Sequence, residues 1–361
     1  MKNLWRLTMV AVCALMLTAC SDDDNNPTPP GDGDTPKTTT GVYVISQGNI
    51  YSSIDGALTY YNPLNSNNTT RIFAAANGRA LKGTPNNGLV YGSKLYIACT
   101  DENLIEVADA KTAKSLKQIP LQGARRIIAD GGYLYATSFF GNVVAKIDTA
   151  ELAVVQTVET GTYPEGMAVM DGKLYVANSG YGYGNTVSVI NLADFTAEEP
   201  LTVPTNPIDI YNCGGTLYLR TSGEYNSDIF TYEVNPAIYM LRDGTSTYLA
   251  DATICAAGKD CLYFIDDNYY KDAKTFGRIK LSDNSIEPLR LDYGGVPHPF
   301  AIAEEPATGD IYITSYSDVV YAGDIHAADY NSDGYCVRFD KDGRHLDQFV
   351  VGVSAGAIIF F

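Results

Sequence analysis

The sequence predicts an all-β fold, a seven-bladed β-propeller closed by pairing of the C-terminal strand with the first blade. Three observations carry this expectation. A strand phrase centred on tyrosine occurs seven times, as Val42-Tyr43-Val44, Leu95-Tyr96-Ile97, Leu134-Tyr135-Ala136, Leu174-Tyr175-Val176, Leu217-Tyr218-Leu219, Leu262-Tyr263-Phe264 and Ile311-Tyr312-Ile313. Successive tyrosines are 39 to 53 residues apart, the period of a four-stranded blade. The chain also ends in an apolar stretch, Gly356 to Phe361, with nothing after it to pair with, while the first tyrosine phrase has no strand before it. Pairing the two ends removes two exposed sheet edges.

Taken in order, residues 1–19 carry Lys2 and Arg6 followed by an apolar run from Leu7 to Leu17. That is the composition of an export signal, too short for a spanning helix. Leu17-Thr18-Ala19-Cys20 resembles the bacterial lipobox, which implies that Cys20 becomes a lipidated first residue; ordinary signal cleavage is the competing reading. Ser21-Asp22-Asp23-Asp24 then resembles the surface-export signal of Bacteroidetes lipoproteins, against a plain solvated tether. Residues 20–40 are rich in Pro, Gly, Asp and Thr and cannot pack a core, so they read as a linker. Residues 41–361 form the propeller, a single domain because no blade buries both its faces alone.

Within a blade the expected order is an inner strand, a tight glycine turn, the tyrosine strand, a third strand and an edge strand. Gly166 to Asn178 shows the unit, with apolar Met167, Val169, Leu174 and Val176 flanking Asp171-Gly172. First-to-second turns are uniformly short: Gly92-Ser93, Gly131-Gly132, Gly172-Lys173, Gly214-Gly215 and Thr308-Gly309. Second-to-third connections are long, variable and aromatic, and in a meander they share a face with the crossings between blades. They hold Phe139 and Phe140, Tyr181 and Tyr183, Tyr225, Tyr269 and Tyr270, and Tyr316. Loops on a rigid scaffold are where binding residues concentrate, so these rings and His298, on an inter-blade crossing, form the candidate ligand site. The alternative is that the rings only order one another. Tyrosines of the repeated triplets, by contrast, read as packing between sheets.

Asp329-Tyr330-Asn331-Ser332-Asp333-Gly334 fits the first half of a calcium loop, with Asp329, Asn331 and Asp333 as ligands of a Ca²⁺ ion and Asp340 at the twelfth position. Against this, Tyr335 to Phe339 reads as a strand that would carry Asp340 away. Catalytic constellations are thin: three histidines (His298, His326, His345) and no phosphate-cradling loop. Beyond Cys20, five cysteines remain past the leader, and Cys255 and Cys261 flank a hairpin turn where a bridge is conceivable. With 42 acidic against 25 basic residues and a net charge of −17, the surface repels phosphate backbones, so no nucleic-acid partner is expected.

Leu174-Tyr175-Val176-Ala177-Asn178 resembles the repeat of YncE-like (YVTN-type) seven-bladed propellers. Pro299 to Ala303, Thr308 to Thr314, the Asp329-Tyr330 loop and Phe339 to Gly343 follow one another as in surface propeller lipoproteins of Bacteroidetes, a group that includes BtuG-type proteins. That resemblance spans residues 20–361. It implies an outer-membrane location facing the cell exterior, a membrane contact through the lipid, capture of cobalamin or another corrinoid as ligand, no required cofactor, and a TonB-dependent outer-membrane transporter as partner. It supplies no matched ligand residues. The rivals are a propeller lyase or hydrolase using His298 with nearby carboxylates, a glycan-binding accessory protein and a docking scaffold. Absence of tryptophan beyond Trp5 weighs against glycan binding.

Overall fold

A computed structural model describes residues 39–228, 231–268, 273–321 and 325–361. The proposed signal and most of the linker, including Cys20, and the loop residues Tyr269 and Tyr270 lie outside the described residues.

Seven four-stranded antiparallel sheets follow one another along the chain. The first blade contains Val42–Ser46, Ala57–Asn62 and Asn67–Thr69, with Ala355–Phe360 as its innermost strand. The ring is closed as expected: Tyr43 lies opposite Ile359 and Val44 opposite Ile358, and Phe361 stacks on Tyr43 with ring centroids 4.5 Å apart. Thr40 N–H donates to Phe361 O at 2.8 Å, and the Thr39 hydroxyl bonds Glu305 in the first turn of the seventh blade. The chain therefore enters the disc on the face that carries the tight turns.

The repeated tyrosines pack between sheets because the strand period aims every second side chain at the neighbouring blade. Tyr43, Tyr96, Tyr135, Tyr218, Tyr263 and Tyr312 are buried, whereas Tyr175 is only partly covered. Each blade-to-blade interface has its own apolar core. Between the second and third blades it joins Tyr96, Ile105 and Val107 to Ile127, Leu134 and Ile147.

One recurrent feature was not read from the sequence. The pairing of the first two strands slips near the entry of the inner strand in five blades: at Pro85/Asn87, Ala124/Ile127, Pro164/Met167, Pro207/Asp209 and Pro299/Ala301. The closing strand slips likewise between Ala355 and Ala357. Such bulges leave extra residues unpaired and re-aim their side chains. Proline tolerates the first position because it need not donate to the ladder there.

Two second-to-third connections are ordered hairpins rather than loops. Glu224–Asn226 pairs with Thr231–Val234 in the fifth blade, and Ser317–Tyr321 with Ile325–Asp329 in the seventh. The crossing from the first to the second blade holds a short helix, Ile72–Asn77, whose Phe73 is buried. All five described cysteines are free thiols. The Cys255–Cys261 bridge is not formed because the register sets Cys255 against Phe264 and Ala257 against Leu262, leaving the two thiols on different rungs.

Candidate ligand-binding face

Two aromatic groups stand on the face of the second-to-third connections. In the first, Phe139 contacts Phe140, Tyr163 and Tyr181 at centroid distances of 5.2, 4.9 and 6.4 Å, and Tyr163 meets Tyr181 at 5.3 Å. Phe139 is buried and serves as the base, while Phe140, Tyr181 and Tyr183 are exposed. Gly180–Gly182 makes a single 3₁₀ turn in which Ser179 accepts from Tyr181 N–H, and this turn lifts Tyr181 and Tyr183 outward. Tyr163 was missed in the sequence because it sits on a crossing, directly before Pro164, with φ +53°.

The second group lies on the seventh blade. Tyr316 touches Phe300 at 5.0 Å and Tyr330 at 4.9 Å, and burial raises its phenol pKa. Beside it, His298 is fixed on the crossing: its carbonyl accepts from Tyr316 N–H at 3.0 Å and its own N–H donates to Ser315 Oγ at 3.1 Å. The His298 ring Nε2 lies 2.8 Å from Asp318 Oδ1, and His326 Nδ1 bonds the other oxygen of the same carboxylate. Hydrogen bonds from the two imidazoles lower the Asp318 pKa. Tyr225 is separate from both groups; it pairs with Tyr232 at 5.3 Å on the fifth-blade hairpin.

The calcium ligands are drawn to other partners. Asp333 receives both guanidinium nitrogens of Arg71, at 2.9 and 2.6 Å. Asn331 Oδ1 accepts from Asn49 Nδ2 at 3.1 Å, and Asp329 Oδ1 accepts from Asn331 N–H at 2.9 Å. The contacts with Asn49 and Arg71 tie the seventh blade to the first. Tyr335–Phe339 is a strand, so Asp340 sits in the turn beyond it, on the opposite face. Among the described residues no group of three or more His, Cys, Asp or Glu side chains is arranged to hold a metal ion.

Toward the centre, the entries of the inner strands and the strand beside them carry charge. Arg125 forks onto Glu165 of the next blade at 2.8 and 3.1 Å and lies over the Phe139 ring at 4.9 Å. Arg220 grips Asp209 Oδ2 through Nε at 2.9 Å and Nη2 at 2.5 Å. Burial alone raises a carboxyl pKa, but Arg220, Arg126 and Arg125 outweigh it and hold Asp209 below its ordinary value. The sequence signal for Arg125 and Glu165 is their place, immediately after the residue that opens an inner strand.

A hollow of about 910 Å³ opens on the other face, between the sixth and seventh blades, lined by Lys259, Asp260, Arg278, Glu304 and Lys341 among others. Its one ring, Tyr263, is buried. The loop face is therefore the better aromatic platform, although this hollow lies opposite it.

No family model matches the chain, and no curated protein matches it. Solved structures share the fold. A hypothetical selenium-binding protein from Sulfolobus tokodaii superposes with a TM-score of 0.65 at 9% identity, over 89% of this chain and 93% of that one. A putative 6-phosphogluconolactonase from Bacteroides uniformis gives 0.62 at 10% identity, over 89% and 100%. A quinoprotein alcohol dehydrogenase-like protein from Bacteroides thetaiotaomicron gives 0.61 at 14%, over 89% and 78%.

Proposed function

We propose that this chain captures a small, broad and partly apolar ligand on its loop face, a corrinoid in the first instance, and releases it unaltered to a TonB-dependent transporter. The observation that carries the reading is the set of exposed rings (Phe140, Tyr181, Tyr183 and Tyr330) standing on one face of a closed ring of sheets. Rings on a rigid scaffold give large contact area with few torsions to immobilise. A corrinoid presents a flat apolar body for such rings and a rim of amides for loop backbone and side chains. His326, whose side chain is 61% exposed and whose Nδ1 is engaged by Asp318, offers its other nitrogen to an exchangeable cobalt position. Lipidation at Cys20 and a station on the outer membrane belong to the same proposal and rest on the sequence.

Calorimetry of the chain without residues 1–20 against cyanocobalamin and a panel of small glycans tests it. Saturable heat with cobalamin is expected, and heat with glycans alone would overturn the corrinoid assignment. A second reading is favoured by one contact, the His298–Asp318 pair at 2.8 Å: a carboxylate that orients an imidazole is the arrangement of a general base, and one structural neighbour is named a putative lactonase. Turnover of a ligand by the wild-type chain, lost in His298→Ala, would select that reading.

A further inference from the structure

At the inner end of the aromatic platform, three guanidinium groups (Arg125, Arg126 and Arg220) face two carboxylates (Glu165 and Asp209). Four of the five are already matched. Arg125 is engaged by Glu165, and Arg220 by Asp209, with its Nη1 also donating to Thr253 O at 2.7 Å. Arg126 is left over. Among the described residues its side chain makes one hydrogen bond, from Nη2 to Asp209 Oδ1, and at 3.2 Å it is the longest of the set.

The Arg126 Nε is buried with no hydrogen-bond partner. A guanidinium carries five N–H donors, and a buried donor without an acceptor costs about 1–3 kcal/mol. The side chain is nevertheless 28% exposed, and that exposure does not include the buried Nε. Its position is imposed by the fold. Arg126 belongs to the third blade and Asp209 to the fifth, and between them the fourth blade presents Gly166, whose backbone lies so close that a Cβ would come within 2.8 Å of Asp209 Cα. The Arg126 backbone is pinned as well, its N–H donating to Thr137 Oγ1 at 3.0 Å.

We infer that Arg126 is the anchor of an anion subsite at the mouth of the ring, which receives a carboxylate or phosphate oxygen group of the ligand. An oxyanion placed there meets the outer Nη hydrogens of Arg126, the buried Nε being out of a ligand's reach, and a planar guanidinium suits both groups through paired N–H donors. In a chain of net charge −17, this is a local inversion of sign, which selects for an anionic group on an otherwise apolar molecule. The inference does not depend on the ligand being a corrinoid. If it is one, the phosphodiester of the nucleotide loop is the matching group.

The test uses the chain without its leader and inorganic phosphate as probe, at ionic strength held constant with chloride. Phosphorus-31 linewidths should broaden saturably with wild-type protein and sharpen when acetate is added in competition. In Arg126→Gln the broadening should fall at least about tenfold, a loss of about 1.4 kcal/mol. Absence of broadening with wild type, or full broadening in the variant, would overturn the subsite. Should Arg126→Gln fail to fold, Arg126→Lys is measured instead: charge without the fork should weaken the response, and an unchanged response overturns the inference. Calorimetry with cobalamin and with cobinamide, which lacks the phosphodiester, separates the two proposals. Phosphate binding without corrinoid binding defeats only the corrinoid reading, and corrinoid binding without any phosphate response defeats only the subsite.

Discussion

The repeated tyrosines show how one residue type at one strand position acquires different energies. Tyr43 donates its hydroxyl to Ala110 O at 2.7 Å, whereas the hydroxyls of Tyr96 and Tyr312 are buried without a partner. Burial raises the phenol pKa of Tyr43 and Tyr96 to about 12. Removing a satisfied hydroxyl and an unsatisfied one should therefore have opposite signs. Tyr43→Phe is expected to lose about 1 kcal/mol, and Tyr96→Phe and Tyr312→Phe to be neutral or more stable by about 1 kcal/mol, as read from urea unfolding midpoints at equal slopes. The triplets were legible in the sequence because their spacing is regular. Their hydroxyl partners were not, since Ala110 is supplied by a turn 67 residues away.

At the scale of the element, the inner strand is the part that organises the site. Outside the sixth blade, proline or alanine opens it, a bulge follows, and the residues thrown out of register supply Arg125, Glu165 and Phe300. Alternation of apolar residues marked these segments as strands but gives no sign of a slipped register, which depends on the neighbouring strand. For the same reason the hairpins of the fifth and seventh blades read as loops: their strands are only three to five residues long, too short for a period to register, and ladder bonds between them decide the matter. Gly166 exposes the constraint most directly. Gly166→Ala would force a Cβ to within 2.8 Å of Asp209 Cα and 2.9 Å of Ile208 O, and a loss of about 1–3 kcal/mol is expected. Gly131→Ala, in a turn with φ +56° and nothing within 4 Å of the new Cβ, should cost only about 1 kcal/mol. Thermal melts of the two variants side by side check the contrast.

For the whole molecule, closure is the feature on which stability turns. Ala355–Phe360, though farthest along the described chain, is the innermost strand of the first blade, so every blade has two neighbours only once it docks. Deleting Ala357–Phe361 removes the pairing with Val42–Ile45 and the Phe361 ring stacked on Tyr43. The expected loss exceeds about 5 kcal/mol, comparable to the total stability of many domains, and would appear as a collapse of the cooperative unfolding transition; an unchanged midpoint would contradict it. The ring, its seam and the ornamented face were all readable from the chain, because repeat length and unpaired ends are properties of sequence. The central charges were not, because Arg126 and Asp209 are brought together by curvature across an intervening blade.

The entry of the chain at Thr39 and Thr40, beside Glu305 and Phe361, puts the amino-terminal attachment on the side away from the aromatic rings. A lipid, a tag or a chip surface joined to that end therefore does not obstruct them. Immobilisation through the carboxyl end would begin at the same seam, since Phe361 bonds Gly41 there, so either terminus leaves the same side free for visitors.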